Sequence, residues 1–364
     1  MPDHIPGLEL SERYYVEIVR PILDQFFPGL VHSAALLGPG SEVLGFDTSR
    51  SSDHHWGLRL ILFLRKEDWP VYSSKIDQTL RQELPPQFLG FSTNFSPPDP
   101  NDSGVRHPVF LESGPVDHMI EITTVEDFGR NELGVDPFSD FTPQDWMIFE
   151  EQRLLTLTRG QVYHDGSGQL GKLREKLAYY PHDIWLYLLA AEWQKISQEE
   201  AFVGRTGEVG DELGSRLVAA RLVQSLMRLG FMMERQYIPY SKWFGTGFAQ
   251  LTCAPRMLPG LQGALSAPTW PEREEYLCQV YQTAAEMHNA LGITLPVETL
   301  PSLYFGRPFR VIHGDAIAAK IKGAIRDEGV LELTPDIGSV NQFLASVDVL
   351  NSADQRLKLC ALYD

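Results

Sequence analysis

The sequence predicts an α+β protein, with strands near its beginning and helices through the remainder. Short apolar runs at Ser33–Leu37, Leu58–Leu64 and His118–Thr123 read as strands. From Thr124 onward, apolar residues recur mainly at helical spacing. With 364 residues and 43% hydrophobic content the chain can bury a large core, and this length favours two domains.

Residues 10–27 place Tyr14, Tyr15, Ile18, Val19, Ile22, Leu23 and Phe26 close to helical period, with Ser11 as N-cap. Pro21 predicts a kink or two short helices there. The first strand, Ser33–Leu37, leads into Gly38-Pro39-Gly40-Ser41, and an eleven-residue excursion then reaches Asp53-His54-His55. After the Leu58–Leu64 strand, Lys66–Leu84 reads as a polar link and an amphipathic helix ended by Pro85-Pro86. Residues 92–108, dense in Pro, Asn, Asp, Ser and Gly, read as a long surface loop before the His118–Thr123 strand.

Thr142–Leu157 begins with an N-cap threonine and Pro143 at the first helical position. Gly160–Gly171 is expected to be a hairpin or turn between helices. Helices over 172–180 and 183–202 are split at Pro181, and Trp185, Tyr187 and Trp193 mark a bundle core. Residues 204–235 hold a buried helix marked by Leu217, Ala220, Leu222, Val223, Leu226, Met227, Leu229, Phe231 and Met232, its preceding turn holding Arg205, Glu208, Asp211 and Glu212 among glycines 204, 207, 210 and 214. Tyr240, Lys242 and Trp243 lie just beyond Pro239. Residues 255–271 read as a Pro- and Gly-rich link, 272–291 as an amphipathic helix, 294–305 as a turn, 307–325 as mostly helix and 336–350 as a last loop and helix.

Forty-eight acids against thirty-one Lys and Arg give a net charge of −17, which disfavours a broad nucleic-acid footprint and favours a small-molecule or protein partner. Cys253, Cys278 and Cys360 are far apart, so neither a disulfide framework nor a zinc site is indicated. No run approaches a membrane span and the N-terminus lacks a basic-then-apolar signal, so a cytoplasmic protein is expected.

The Leu37–Leu64 stretch carries the chemistry. Small residues let backbone N–H groups approach a phosphate, and Ser41 adds a hydroxyl. A carboxylate held just before a strand, Asp53, can hold the Mg²⁺ that neutralises the same phosphates. An ordinary surface loop has the same composition, and both readings stand on the residues alone. Glu121, among apolar neighbours on its strand, is either a further acid of such a site or the polar face of a half-exposed strand. Lys242 beside aromatics can place a cation on a phosphate or pack its stem at an aromatic junction. Asp211 and Glu212 fit either a functional turn or a favourable helix start.

Gly40-Ser41, eleven residues and then Asp53-His54-His55 resembles the signature of the nucleotidyltransferase superfamily with the DNA polymerase β-like fold. The segments GSEVLGFDTSRSSDHHWGLR, YPHDIWLYLLAAEWQKISQEEAFVGRTGEVGDELGSRLVAARL, ERQYIPYSKWFGTGF and IGSVNQFLASVDVL resemble the domain of unknown function 4037 family, which is nucleotidyltransferase-like. The resemblance runs from about residue 10 to the C-terminus. It implies a nucleotidyltransferase-fold mixed sheet with flanking helices over 1–140 and a helical-bundle domain over 141–364. It places Gly40 and Ser41 at the triphosphate, Asp53 at the metal, His55 where a second acid would stand and Glu121 as third ligand.

Arg59, Arg205 and Lys242 are candidates for neutralising the triphosphate, and Asp211 or Glu212 for the general base. The implied activity is transfer of a nucleoside monophosphate from an NTP, with ATP the expected donor, to a hydroxyl of a small molecule or protein, with Mg²⁺ or Mn²⁺ as cofactor. Histidine suits Mn²⁺ better than Mg²⁺, and Asp47 could supply the missing oxygen. His55 also leaves open a degenerate nucleotide-binding or regulatory protein, or a different biosynthetic enzyme on the same scaffold.

Overall fold

The computed structural model describes residues 5–48, 56–102 and 104–364. The chain forms two compact units, one of residues 1–139 with 153–178, the other of residues 140–152 with 179–364.

The first unit is built on a four-stranded sheet. Its strands are β1 (His32–Leu36), β2 (Arg59–Leu64), β5 (Met119–Thr124) and β6 (Gln161–Asp165), in the order β5-β2-β1-β6. A small hairpin of β3 (Gln87–Phe88) and β4 (Phe91–Ser92) lies outside it. β1 runs antiparallel to both β2 and β6, while β2 and β5 are parallel, so the sheet is mixed. Leu60, Leu62 and Leu64 alternate onto one face with Ala34 and Ile120, forming a core with Leu10, Tyr14, Tyr15, Val19, Ile76 and Leu80 of the flanking helices. Each such leucine contributes roughly 1.5–3 kcal/mol by leaving water. On the other face Phe63 meets Phe128 edge-on, with ring centroids 5.5 Å apart.

Pro21 does not break the first helical segment. Gly7–Tyr14 passes through a π-helical turn, Tyr15–Val19, into Arg20–Phe26, and the wider turn sits where the proline's missing N–H and its ring would disturb a regular ladder. The segment expected as a turn between helices at 160–171 is instead β6 followed by the start of the Gln169–Lys176 helix. Its run Gln161–Asp165 carries no alternation of apolar and polar residues, because a bulge between Ala34 and Ala35 resets the register and the strand lies at the sheet edge. The 92–108 loop is tied by bridges at Phe95–Pro108 and Asp99–Val105.

The second unit is helical. The helices His182–Glu199, Glu212–Met233, Ala254–Ser266, Trp270–Leu291 and Gly314–Lys322 supply most of its core, with Trp185, Tyr187 and Trp193 all buried. The expected link at 255–271 is mostly helix. Pro255 occupies the first turn, where no backbone N–H is needed, and close packing of Gly260 on Val280 and Gly263 on Tyr276 offsets the bond lost at Pro259. The segment expected as mostly helix at 307–325 begins instead as strand β8 (Arg310–Val311), paired with β7 (Ser302–Leu303). Among the described residues no helix is long and apolar enough to cross a membrane.

Gly204 and Gly207 lie inside the Phe202–Glu208 helix, where an added Cβ would collide with Phe309 and Trp270. Gly207→Ala is therefore expected to cost about 1–3 kcal/mol. Gly245→Ala, at a helical position with open space around it, should stabilise by about 0.5–1 kcal/mol. Thermal unfolding of the two variants reads both signs, and equal midpoints would contradict the packing argument.

Candidate functional site

The site begins where β1 ends. Gly38 has φ +90° and Gly40 φ +142°, conformations that side-chain-bearing residues rarely adopt, so the turn that reverses the chain toward Ser41–Leu44 depends on glycine. Gly38 N donates to Thr156 O at 3.0 Å, which ties the turn to the helix Glu151–Thr158. Among the described residues no side chain caps the short Ser41–Leu44 helix.

Arg59, the first residue of β2, reaches back to this turn. Its Nε and Nη2 donate to Glu42 Oε1 at 2.9 and 2.5 Å, and Nη2 also donates to Pro39 O at 2.6 Å. Both side chains are largely buried, Arg59 13% and Glu42 4% exposed, so the pair is a strong local constraint. A Cβ on Gly40 would overlap both Arg59 Nη2 and Glu42. The glycine thus makes room for the ion pair as well as for the turn. Asp47 is also engaged, its Oδ2 accepting from Gly7 N at 2.9 Å.

Antiparallel pairing of β1 with β2 sets the end of β1 beside the start of β2, and parallel pairing brings the start of β5 to the same end. Glu121 is the Cα partner of Ile61, which puts it on the face shared by Ile61 and Arg59. Its side chain is exposed to solvent, although nearby protein still desolvates the carboxyl in part. Partial burial pushes it above the usual carboxylate range, the like charge of Glu132 adds to this, and Arg59 opposes it. Glu132 is buried and paired with Arg153, Nη1 to Oε2 at 3.0 Å. The Gly38–Ser41 turn, the head of β2 and Glu121 therefore share one end of the sheet. Asp53 and His55 lie outside the described residues, immediately ahead of Trp56 and β2 in sequence. Among the described residues no group of three His, Cys, Asp or Glu could hold a metal ion.

The other candidates belong to the second unit. Asp211 caps the Glu212–Met233 helix, its Oδ1 accepting from Gly214 N at 2.7 Å. Glu212 Oε2 pairs with the fully buried Arg273 at 3.1 Å. Arg205 is exposed, with its guanidinium 5.4 Å from the Phe202 ring centroid. Lys242, also exposed, lies 5.1 Å from that of Trp243. Of the sequence candidates, Gly40, Ser41, Arg59 and Glu121 are brought together. Sequence reasoning missed Glu42 and Glu132. Glu42 could have been noticed as an acid directly after Gly40-Ser41 at an otherwise apolar junction, whereas Glu132 has no local signal.

A family model described as domain of unknown function (DUF4037) matches residues 146–244, which bears out the family resemblance over that segment. No curated protein matches the chain. Among solved structures, the chain is similar to a nucleotidyltransferase-like protein from Exiguobacterium sibiricum 255-15, with 11% identity and a TM-score of 0.31 over 76% of this chain and 78% of that one.

Removing the acid of the Arg59 pair by Glu42→Gln leaves a largely buried guanidinium without its counter-charge and should cost about 3 kcal/mol in denaturant unfolding. Asp211→Ala should cost about 1 kcal/mol through loss of the helix cap. Undiminished stability in either variant would show that the corresponding contact contributes nothing.

Proposed function

We propose that the protein is a metal-dependent nucleotidyltransferase that moves a nucleoside monophosphate from an NTP, ATP first among them, to a hydroxyl of a small molecule or protein. The observation that carries this reading is the meeting of the glycine turn, the head of β2 and Glu121 at one end of the sheet, with Asp53 just upstream of β2 in sequence. In the reaction the acceptor oxygen attacks the α-phosphorus, the bond to the β-phosphate oxygen breaks, pyrophosphate leaves and the hydroxyl proton passes to a base.

Gly40 and Ser41 bind the triphosphate. Glu42 holds Arg59 against Pro39 O, so Arg59 shapes the turn. The donor set of Asp53 and Glu121 oxygens with the His55 imidazole suits Mn²⁺ better than Mg²⁺, and a bound cation would neutralise phosphate charge there. Asp211 and Glu212 already cap a helix and pair with Arg273, which supports a structural role for them over that of base. The net charge of −17 favours a small-molecule or protein acceptor over nucleic acid.

His55, standing where the superfamily signature has a second acid, favours a second reading: a nucleotide-binding protein without turnover.

Calorimetric titration of ATP and GTP, with Mg²⁺ and with Mn²⁺, into wild type, Asp53→Asn and Glu121→Gln tests the site. Metal-dependent binding, tighter with Mn²⁺ and weakened at least tenfold by either substitution, is the expected outcome. Pyrophosphate release with an added acceptor then supports the transferase, and binding without release supports the second reading. Absence of nucleotide binding under every condition would reject both.

A further inference from the structure

The second unit contains a buried carboxyl that neither reading uses. Glu151 is 3% exposed and sits in the short stretch by which the chain leaves this unit, at the 152/153 boundary. Tyr180 sits just past the point of return, at the 178/179 boundary. The Tyr180 hydroxyl donates to Glu151 Oε1 at 3.4 Å, a long bond that joins the departing and returning segments. Asn341 holds the same stretch from the backbone side, with Oδ1 accepting from Glu151 N at 3.0 Å and Nδ2 donating to Phe149 O at 2.9 Å.

The electrostatics of this junction are incompletely satisfied. Arg228, on the Glu212–Met233 helix, points Nη1 at Glu151 Oε2 but stops at 3.9 Å, beyond hydrogen-bond reach. Among the described residues, Arg228 Nε and Nη1 are buried with no hydrogen-bond partner, as is Glu192 Oε1 on the neighbouring His182–Glu199 helix. Arg228, Glu150 and Glu192 act on Glu151 through charge and Tyr180 through its hydrogen bond, and Glu151 in turn acts on Tyr179 and Tyr237. Arg228, the cation among these groups, stops 3.9 Å from the carboxyl. A neutral Glu151 fits these loose contacts; an ionised one would be both buried and poorly paired.

We propose that Glu151 is a proton-operated clasp on the two chain segments that leave and re-enter the helical unit: as the neutral acid it stays buried against Tyr180, and loss of the proton leaves a buried, poorly paired charge that favours their opening to water. Burial, the largest cause, pushes the Glu151 carboxyl up to about 8; Arg228 and Tyr180 oppose the rise, while Glu150 and Glu192 add to it. Opening returns the group to water and to the ordinary carboxylate range. The folded value is the raised one, so the contribution to closure is complete below the ordinary range and is lost as pH rises toward about 8.

Hydrogen exchange of the full chain, corrected for intrinsic rates and followed over residues 149–152 and 179–182 from pH 6 to 8, tests the clasp. Protection in wild type should fall by up to about tenfold per pH unit, and Glu151→Gln should flatten that slope. Glu200, also buried and pushed up to about 7 but hydrogen-bonded to Ile312 N and Gly314 N, supplies the control; Glu200→Gln should leave the slope at these segments intact. Equal slopes in wild type and Glu151→Gln, or a slope abolished by Glu200→Gln instead, would overturn the proposal. Carbon-13 titration of the Glu151 carboxyl in wild type needs no variant to fold. A midpoint near 8 supports the clasp, and one in the ordinary carboxylate range overturns it.

Discussion

A central strand has two edges to satisfy, and in the first unit that constraint falls on β1. All five residues from His32 to Leu36 are buried, so every backbone N–H and C=O needs a partner in the ladder. β2 fills one edge from nearby in sequence, through Ala34 to Leu62 and Ala35 to Ile61. The other edge is filled by β6, more than a hundred residues later, through Ala34 to His164 and Ser33 to Asp165. Residues 153–178 thereby belong to the first unit although helical residues 140–152 of the second precede them. The chain must cross between units more than once because a buried strand cannot leave one side unpaired.

The same sheet determines what the glycine turn can do. Its backbone depends on positive φ at Gly38 and Gly40, and its position depends on Arg59 reaching from β2 to Glu42 and Pro39 O. A largely buried guanidinium needs a full set of acceptors, and here they come from the turn itself. Arg59 is consequently a fixed part of the turn's wall, and its charge also opposes the rise of Glu121. Loop, ion pair and acid form one electrostatic unit, in which a change at Glu42 reaches Glu121 through Arg59.

In the helical unit close packing accounts for residues that look functional in isolation. Glycines 204 and 207 admit the rings of Phe309 and Trp270, Gly214 leaves room for the Asp211 cap, and Glu212 serves the buried Arg273. Charge and glycine in one stretch mark a crowded helix junction here. Among the described residues Arg228 Nε and Nη1 and Glu192 Oε1 lack hydrogen-bond partners, as does Arg273 Nε, and Glu151 meets Arg228 only at 3.9 Å.

Local sequence determined the strands β1, β2 and β5, the capped start at Thr142, the long amphipathic helices and the need for glycine after β1. Each of these rests on a short-range cause: apolar period, a cap hydroxyl or backbone sterics. Tertiary structure decided the rest. β6 carries no strand pattern and exists because β1 has an open edge; Pro255 and Pro259 sit in a helix because Val280 and Tyr276 pack against it. Glu42, Glu132 and Glu151 acquire their roles only when Arg59, Arg153 and Arg228 arrive from distant positions to oppose them. Periodicity and propensity act over a few residues, whereas burial and charge pairing depend on what the fold brings alongside, and no stretch of sequence contains that information by itself.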